Sequence, residues 1–246
     1  MRSITKKNTT YYTNSPFTVF EIDNFLEENE YYNLLKTFPK EDLFGNSTEG
    51  NAIDPDNPIY LEHLGKYPVW KNFIDKLNSQ RFINTAYFFS LIPNIKSRGL
   101  KAFKKWTQED IKFPLNKLLK RVSVEAHFTI LRKNEHLNPH TDATSKLLSM
   151  IFYFAEDKTK LSKNGTEFWK NVKNFDYWKN WNNRHIVDNK ELEKFKKENE
   201  IFFKSTFEKN KLVGFIKNDI SWHSVTNFYN NTDEIRKAFV INIRSK

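Results

Sequence analysis

The chain has 246 residues and a net charge of +10, from 40 Lys and Arg against 30 Asp and Glu, and it contains no cysteine. Without thiols there are no disulfides, thiolate metal sites or cysteine nucleophiles, so any metal must be held by His, Asp or Glu. The mean hydropathy of -0.73 is low, but aromatics make up 16% of the residues, enough apolar surface for a folded core and against a disordered chain.

The length suits one domain spanning residues 1–246. The basic balance would favour an anionic partner, yet the lysines are spread along the chain among Asn and Glu and form no basic arm, so a solvated basic surface is expected rather than a nucleic-acid interface. No apolar run approaches the roughly 18 residues of a membrane span, and the opening residues 1–7 are polar, so a cytoplasmic protein without membrane contact is expected.

Residues 17–22 read as a strand. Tyr31, Leu34, Leu35 and Phe38 then fall at i, i+3, i+4 and i+7, one face of a helix that Pro39 ends. Residues 45–58, rich in Gly, Asn, Asp and Pro, read as a loop, and Trp70, Phe73, Ile74 and Leu77 as a second helix whose aromatics pack into the core. Residues 80–120 read only coarsely as helix and loop. The segment 1–121 is thus a helical and strand support.

From residue 122 the period changes to two. Val124, Ala126, Phe128 and Ile130 alternate with Glu125, His127, Thr129 and Leu131, and further strand-like runs cover 147–154, 166–169, 212–216, 221–227 and 238–243. Short strands joined by turns, without intervening helices, favour an antiparallel sandwich or jelly roll, so an α+β fold with a jelly-roll core over 122–246 is expected. Residues 170–205, rich in Trp, Asn and Lys with one short helix at Leu192 and Phe195, read as an insertion of the kind that shapes the rim of a site.

His140, Thr141 and Asp142 form the first motif. On a strand, residues two apart share a face, so both side chains could reach one ion. Six histidines and twelve aspartates give roughly 0.3 such triplets by chance, so the motif gains its weight from the residues beyond it. An alternating strand comes next, then Gly165-Thr166-Glu167, then His223 in Ser221-Trp222-His223, then Arg236 opening a final apolar strand. Two imidazoles and a carboxylate on one face suit Fe(II) with positions left open. Arg236 shares a strand face with Ala238, Val240 and Asn242, and its planar fork matches a carboxylate. Tyr153 shares a face with Ser149 and Ile151, and its hydroxyl could reach the same carboxylate.

Other polar residues fit less well. His136 and His140 have helical zinc spacing, but Pro139 breaks such a helix. Glu125 and His127 could ligate in a different scheme. Lys146 reads as a solvated lysine, and His63 and His185 as exposed.

Taken together, these residues resemble the Fe(II)- and 2-oxoglutarate-dependent oxygenases, near their prolyl-hydroxylase-like branch, over residues 122–243. The run Ile22-Asp23-Asn24-Phe25-Leu26 and the helix after it also resemble the lead-in of such enzymes. The resemblance implies a double-stranded β-helix core, His140, Asp142 and His223 as iron ligands, and Arg236 and Tyr153 at the distal carboxylate of 2-oxoglutarate. It further implies molecular oxygen as co-reactant, ascorbate as a stimulant, release of succinate and carbon dioxide, and hydroxylation of a small-molecule or peptide substrate. Arg236 lies 13 residues after His223, longer than the family's usual spacing, and the insertion is long, so no substrate can be carried over. The alternative is a catalytically silent jelly-roll module that binds a metabolite, sugar or protein.

Overall fold

The computed structural model describes residues 1–46, 51–90, 122–173, 176–179, 183–225 and 233–245. Two antiparallel sheets face each other. Their strands are β1 (Tyr11–Thr13), β2 (Val19–Ile22), β3 (Asn51–Ile53), β4 (Val122–Leu131), β5 (Leu137–His140), β6 (Lys146–Tyr153), β7 (Glu167–Asn171), β8 (Asn199–Lys204), β9 (Leu212–Ile216), β10 (His223–Val225) and β11 (Arg236–Ser245). The larger sheet has the order β1-β2-β9-β6-β11-β4-β3 and the smaller β5-β10-β7-β8. This is the jelly-roll core the period-2 pattern predicts, in an α+β chain.

Helices cover the outer face of the large sheet. In α1 (Glu28–Lys36), Tyr31, Leu34 and Leu35 are buried, as the helical spacing requires. α2 (Pro58–Lys66) starts at Pro58, whose missing N–H costs nothing at a first helical position, and Asn57 caps it by accepting from the Ile59 amide at 3.0 Å. α3 (Pro68–Leu77) buries Trp70, Phe73 and Leu77, and the Trp70 ring meets Phe128, Phe154 and Phe239 edge-on or tilted at 4.6–5.3 Å. Residues 80–90 are also helical. Among the described residues no helix is long and apolar enough to cross a membrane.

Alternation gives the large sheet its second face. Leu131, Ile151, Tyr153, Val213, Phe215 and Ala238 turn inward to pack with Phe17 and Phe168, forming a second core between the sheets. The candidate site lies in this layer.

Several short elements escaped the sequence reading. β3, three residues long, falls inside the segment read as a loop at 45–58, and α2 follows that loop directly, burying only Tyr60 and His63 and so showing little apolar period. The segment read as an insertion contributes β8, which pairs with β7 and continues the small sheet. The helix expected there is α4 (Asn189–Glu198), capped by Asp188 and anchored by buried Phe195. His63, expected to be exposed, is buried in α2 against Phe128 and Tyr67. Residues 91–120 and 226–227 of the segments read as helix and as strand lie outside the described residues.

Candidate metal centre

His140 closes β5 and His223 opens β10, and the two are direct partners in the small sheet, which brings their rings to 4.0 Å. Asp142 lies two residues past His140, just beyond the strand end. The backbone there is tied to the inserted segment. His140 bridges to His185, the Thr141 amide donates to the Arg184 carbonyl at 2.8 Å, and the Asn183 amide donates to the Asp142 carbonyl at 3.1 Å. One ligand atom from each of His140, Asp142 and His223 lies within 4.8 Å of the others.

Their protonation states favour a cation. The ring Nδ1 of His140 lies 2.9 Å from the Asn138 carbonyl and that of His223 lies 3.2 Å from the Ser221 carbonyl. A carbonyl only accepts, so Nδ1 carries the proton in both rings and Nε2 keeps its lone pair. Burial holds both imidazoles below the usual histidine range, with His223 adding to the effect at His140 and Asp142 opposing it at both. Burial pushes the Asp142 carboxyl up, but the Lys146 ammonium and the two imidazoles outweigh it and hold the group well below the usual carboxylate range.

Asp142 is fixed at both oxygens. Lys146 Nζ donates to Oδ1 and Ser149 Oγ to Oδ2, each at 2.6 Å. Lys146 is therefore not the solvated lysine of the sequence reading: it starts β6 and reaches back four residues to the carboxylate. Beside His223, Ser224 Oγ donates to Glu167 Oε2 and accepts from the Trp169 indole, both at 2.8 Å, which ties β10 to β7.

A cavity of about 260 Å³ opens between the sheets at this point, and His140, Asp142, His223 and Arg236 all line it. Arg236 is buried. Its Nε donates to the Asn164 carbonyl at 2.9 Å and an Nη to Thr166 Oγ1 at 3.3 Å, while its guanidinium sits 5.0 Å from the Tyr153 ring centre. Burial lowers its pKa, and among the described residues no carboxylate pairs with it. A buried guanidinium without a counter-charge is costly, and a cavity beside it is a place for an anion.

Tyr153 is placed differently from its partner. It is fully buried beneath the cavity, and its hydroxyl bonds Thr166 Oγ1 at 2.8 Å and Ser205 Oγ at 2.6 Å and accepts from the Thr166 amide at 2.9 Å. Thr166, which sequence reasoning named only within Gly165-Thr166-Glu167 and gave no place in the site, is the residue that faces the cavity here. Of the other histidines, His127 lines the cavity with its pKa lowered by burial, and His185 lies 5.5 Å from His140 in the inserted segment rather than exposed on a loop. Glu125 instead pairs with Arg244 at 3.0 Å. Ser149 and Asn242 were also missed as site residues, although a polar residue at an inward position of an apolar strand is the available signal.

No family model matches the sequence, and no curated protein matches it. Solved structures do share its fold. A prolyl-4-hydroxylase from Pseudomonas putida superposes with a TM-score of 0.50 at 11% identity, covering 93% of this chain and 92% of that one. HygX from Streptomyces hygroscopicus, solved with nickel and 2-oxoglutarate bound, superposes at 0.47 and 8% identity over 100% of this chain and 88% of its own. A prolyl hydroxylase from Trichoplax adhaerens, solved with a hypoxia inducible factor oxygen degradation domain peptide fragment, gives 0.45 and 9% over 92% and 83%.

Proposed function

We propose that this chain, on the fold it shares with the Pseudomonas prolyl-4-hydroxylase, is an Fe(II)- and 2-oxoglutarate-dependent oxygenase, most simply a hydroxylase of a small-molecule or peptide substrate. One observation carries the reading. Two neutral imidazoles with free Nε2 lone pairs and an ionised carboxylate converge in a cavity that also contains a buried arginine without a described counter-charge.

The donor set fits Fe(II). His140 Nε2, His223 Nε2 and one Asp142 oxygen form a two-histidine, one-carboxylate face, which leaves the remaining positions open. Iron held there, with oxygen and 2-oxoglutarate, supplies oxidation of an unactivated C–H bond with release of succinate and carbon dioxide. The chain's own residues do the positioning. Lys146 and Ser149 keep Asp142 ionised and aimed, and the carbonyls of Asn138 and Ser221 fix the two imidazole tautomers. Arg236 grips the distal carboxylate of 2-oxoglutarate with its fork, and Thr166 lies beside it. Tyr153 supports that grip from below, through its ring under the guanidinium and its hydroxyl on Thr166. Leu131, Ile151, Phe215 and Val240 give the cavity apolar walls.

Anaerobic addition of Fe(II) and 2-oxoglutarate should give a weak visible charge-transfer band that His140→Ala abolishes. Succinate should form slowly in air even without substrate. Absence of a band overturns the reading, and a band without any succinate makes the chain a silent binding module.

A further inference from the structure

The cavity has a polar corner, across β6 and β11 from Ser149, to which the proposed function gives no role. Asn242 lies there, six residues along β11 from Arg236, or about 20 Å at a strand's rise per residue, on the same inward face. It is fully buried at 0% exposure, and among the described residues neither its amide nitrogen nor its amide oxygen meets a hydrogen-bond partner. Nearly all buried polar groups in folded proteins are paired, so an amide with both atoms unmet calls for an explanation. His127 on β4 adds to it. The β4–β11 register places His127 opposite Val240 and so diagonal to Asn242, and its buried Nδ1 also lacks a hydrogen-bond partner among the described residues, with Asp54 Oδ1 no closer than 3.8 Å.

We propose that this corner recognises the oxidisable substrate through a carboxamide, a neutral group that donates and accepts hydrogen bonds side by side. The assignment rests on the reading above for what fills the rest of the cavity. An asparagine side chain sets a donor group, its NH2, beside an acceptor group, its carbonyl oxygen. A carboxamide meets both, its N–H on Asn242 Oδ1 and its carbonyl on Asn242 Nδ2. A carboxylate would satisfy Nδ2 and leave Oδ1 facing another oxygen, and an ammonium would leave Nδ2 facing a donor. The imidazole of His127 is neutral as well, so neither side chain of the corner brings a charge of its own, while the nearby Lys146 ammonium is held 2.6 Å from Asp142 and the Asp54 carboxylate lies 3.8 Å beyond His127 and is largely exposed. Size limits the ligand further. At about 260 Å³ the cavity is smaller than the roughly 300–1,000 Å³ typical of drug-sized ligands, so with the cosubstrate in place it admits a group about as large as one side chain. A free small amide and the side chain of a glutamine in a peptide both carry this chemistry.

The test uses ligand-observed NMR on the metal-free protein and needs neither iron nor 2-oxoglutarate, so its outcome is independent of the charge-transfer experiment. Four probes are compared: isobutyramide, 3-methylbutan-2-one (acceptor only), isobutyrate, and N-acetylglutamine N-methylamide. Isobutyramide should bind about tenfold more tightly than the ketone, the share expected of one hydrogen bond. Asn242→Leu should remove that advantage while isobutyrate, drawn to Arg236, binds as before. The same variant should raise Tm by about 2–4 °C, because it deletes a buried amide that has no partner among the described residues. Asn242→Val repeats the measurement with a smaller side chain should the leucine fold poorly. Tighter binding of the glutamine derivative than of isobutyramide would assign the corner to a peptide side chain, and equal binding to a free amide. Amide affinity unchanged in both variants, or a ketone that binds as well as the amide, overturns the proposal.

Discussion

At the residue scale, a few groups in the site are held by partners that act on one property each. Arg236 offers the sharpest case. Its charge is needed for an anion, while its backbone-carbonyl and hydroxyl partners leave that charge uncompensated. Arg236→Gln should therefore weaken 2-oxoglutarate binding about a hundredfold or more, the usual cost of removing one side of a buried charged pair, while leaving Fe(II) binding in place. Calorimetric titration of the metal-loaded protein measures both, and unaltered 2-oxoglutarate affinity would place the carboxylate elsewhere. Much of this was legible in the sequence. Arg236, His140, Asp142 and His223 could be named from order and parity, because strand alternation fixes which side chains share a face. The hydroxyl of Tyr153 could not be followed so far, because its partners Thr166 and Ser205 flank the start of β7 and the end of β8, whose pairing only the folded sheet determines. Lys146 was misread for a related reason: a lysine on a strand looks solvated until a turn four residues long brings a carboxylate back to it.

At the element scale, the segment between β7 and β9 is the part most changed by the structure. Composition marked it as an insertion, and it is in part a structural strand: β8 closes the small sheet, and Tyr11 stacks on Phe203 at 4.0 Å to join it to the large one. The run Asn199–Lys204 is short and borders a lysine-rich helix, so no period could show it. Where β8 ends, Gly165 passes close to Ser205, and a Cβ on Gly165 would lie 1.9 Å from the Ser205 carbonyl oxygen. Backbone cannot step aside as a flexible side chain can. Gly165→Ala should therefore destabilise the fold by about 1–3 kcal/mol in urea unfolding, the cost of overpacking. On the proposed function it should also loosen the grip on 2-oxoglutarate, since Thr166 next in sequence touches Arg236. An alanine variant as stable as the parent would mean the two strands can separate freely here.

At the scale of the whole molecule, the net charge of +10 is spread over a chain whose stability depends on a buried acid away from the metal centre. Burial pushes the Glu21 carboxyl up to about 7, the Lys211 ammonium 4.0 Å away only partly opposing it, with Asp23 and Glu208 pushing the same way as burial. A carboxyl whose pKa is raised on folding favours the folded state while protonated. Its contribution is complete below about 4.5 and is lost as pH rises through about 7. Glu21→Gln should thus gain stability on the parent between pH 4.5 and pH 8, on the order of 2 kcal/mol, in urea unfolding measured at both values. A constant difference between the two proteins would show that the carboxyl titrates normally.

The bridge between His140 and His185 bears on how the two halves of the chemistry could communicate. Residues 183–186 hydrogen-bond to the backbone from Pro139 to Asp142, the stretch that carries two of the three proposed ligands. The same segment continues into α4 through the Arg184–Glu191 ion pair at 2.6 Å. On the proposed reading, a substrate that shifts the inserted segment draws on the same backbone bonds that hold the ligands. Substrate and metal affinities are then thermodynamically linked: by whatever factor bound metal changes the affinity for substrate, bound substrate changes the affinity for metal.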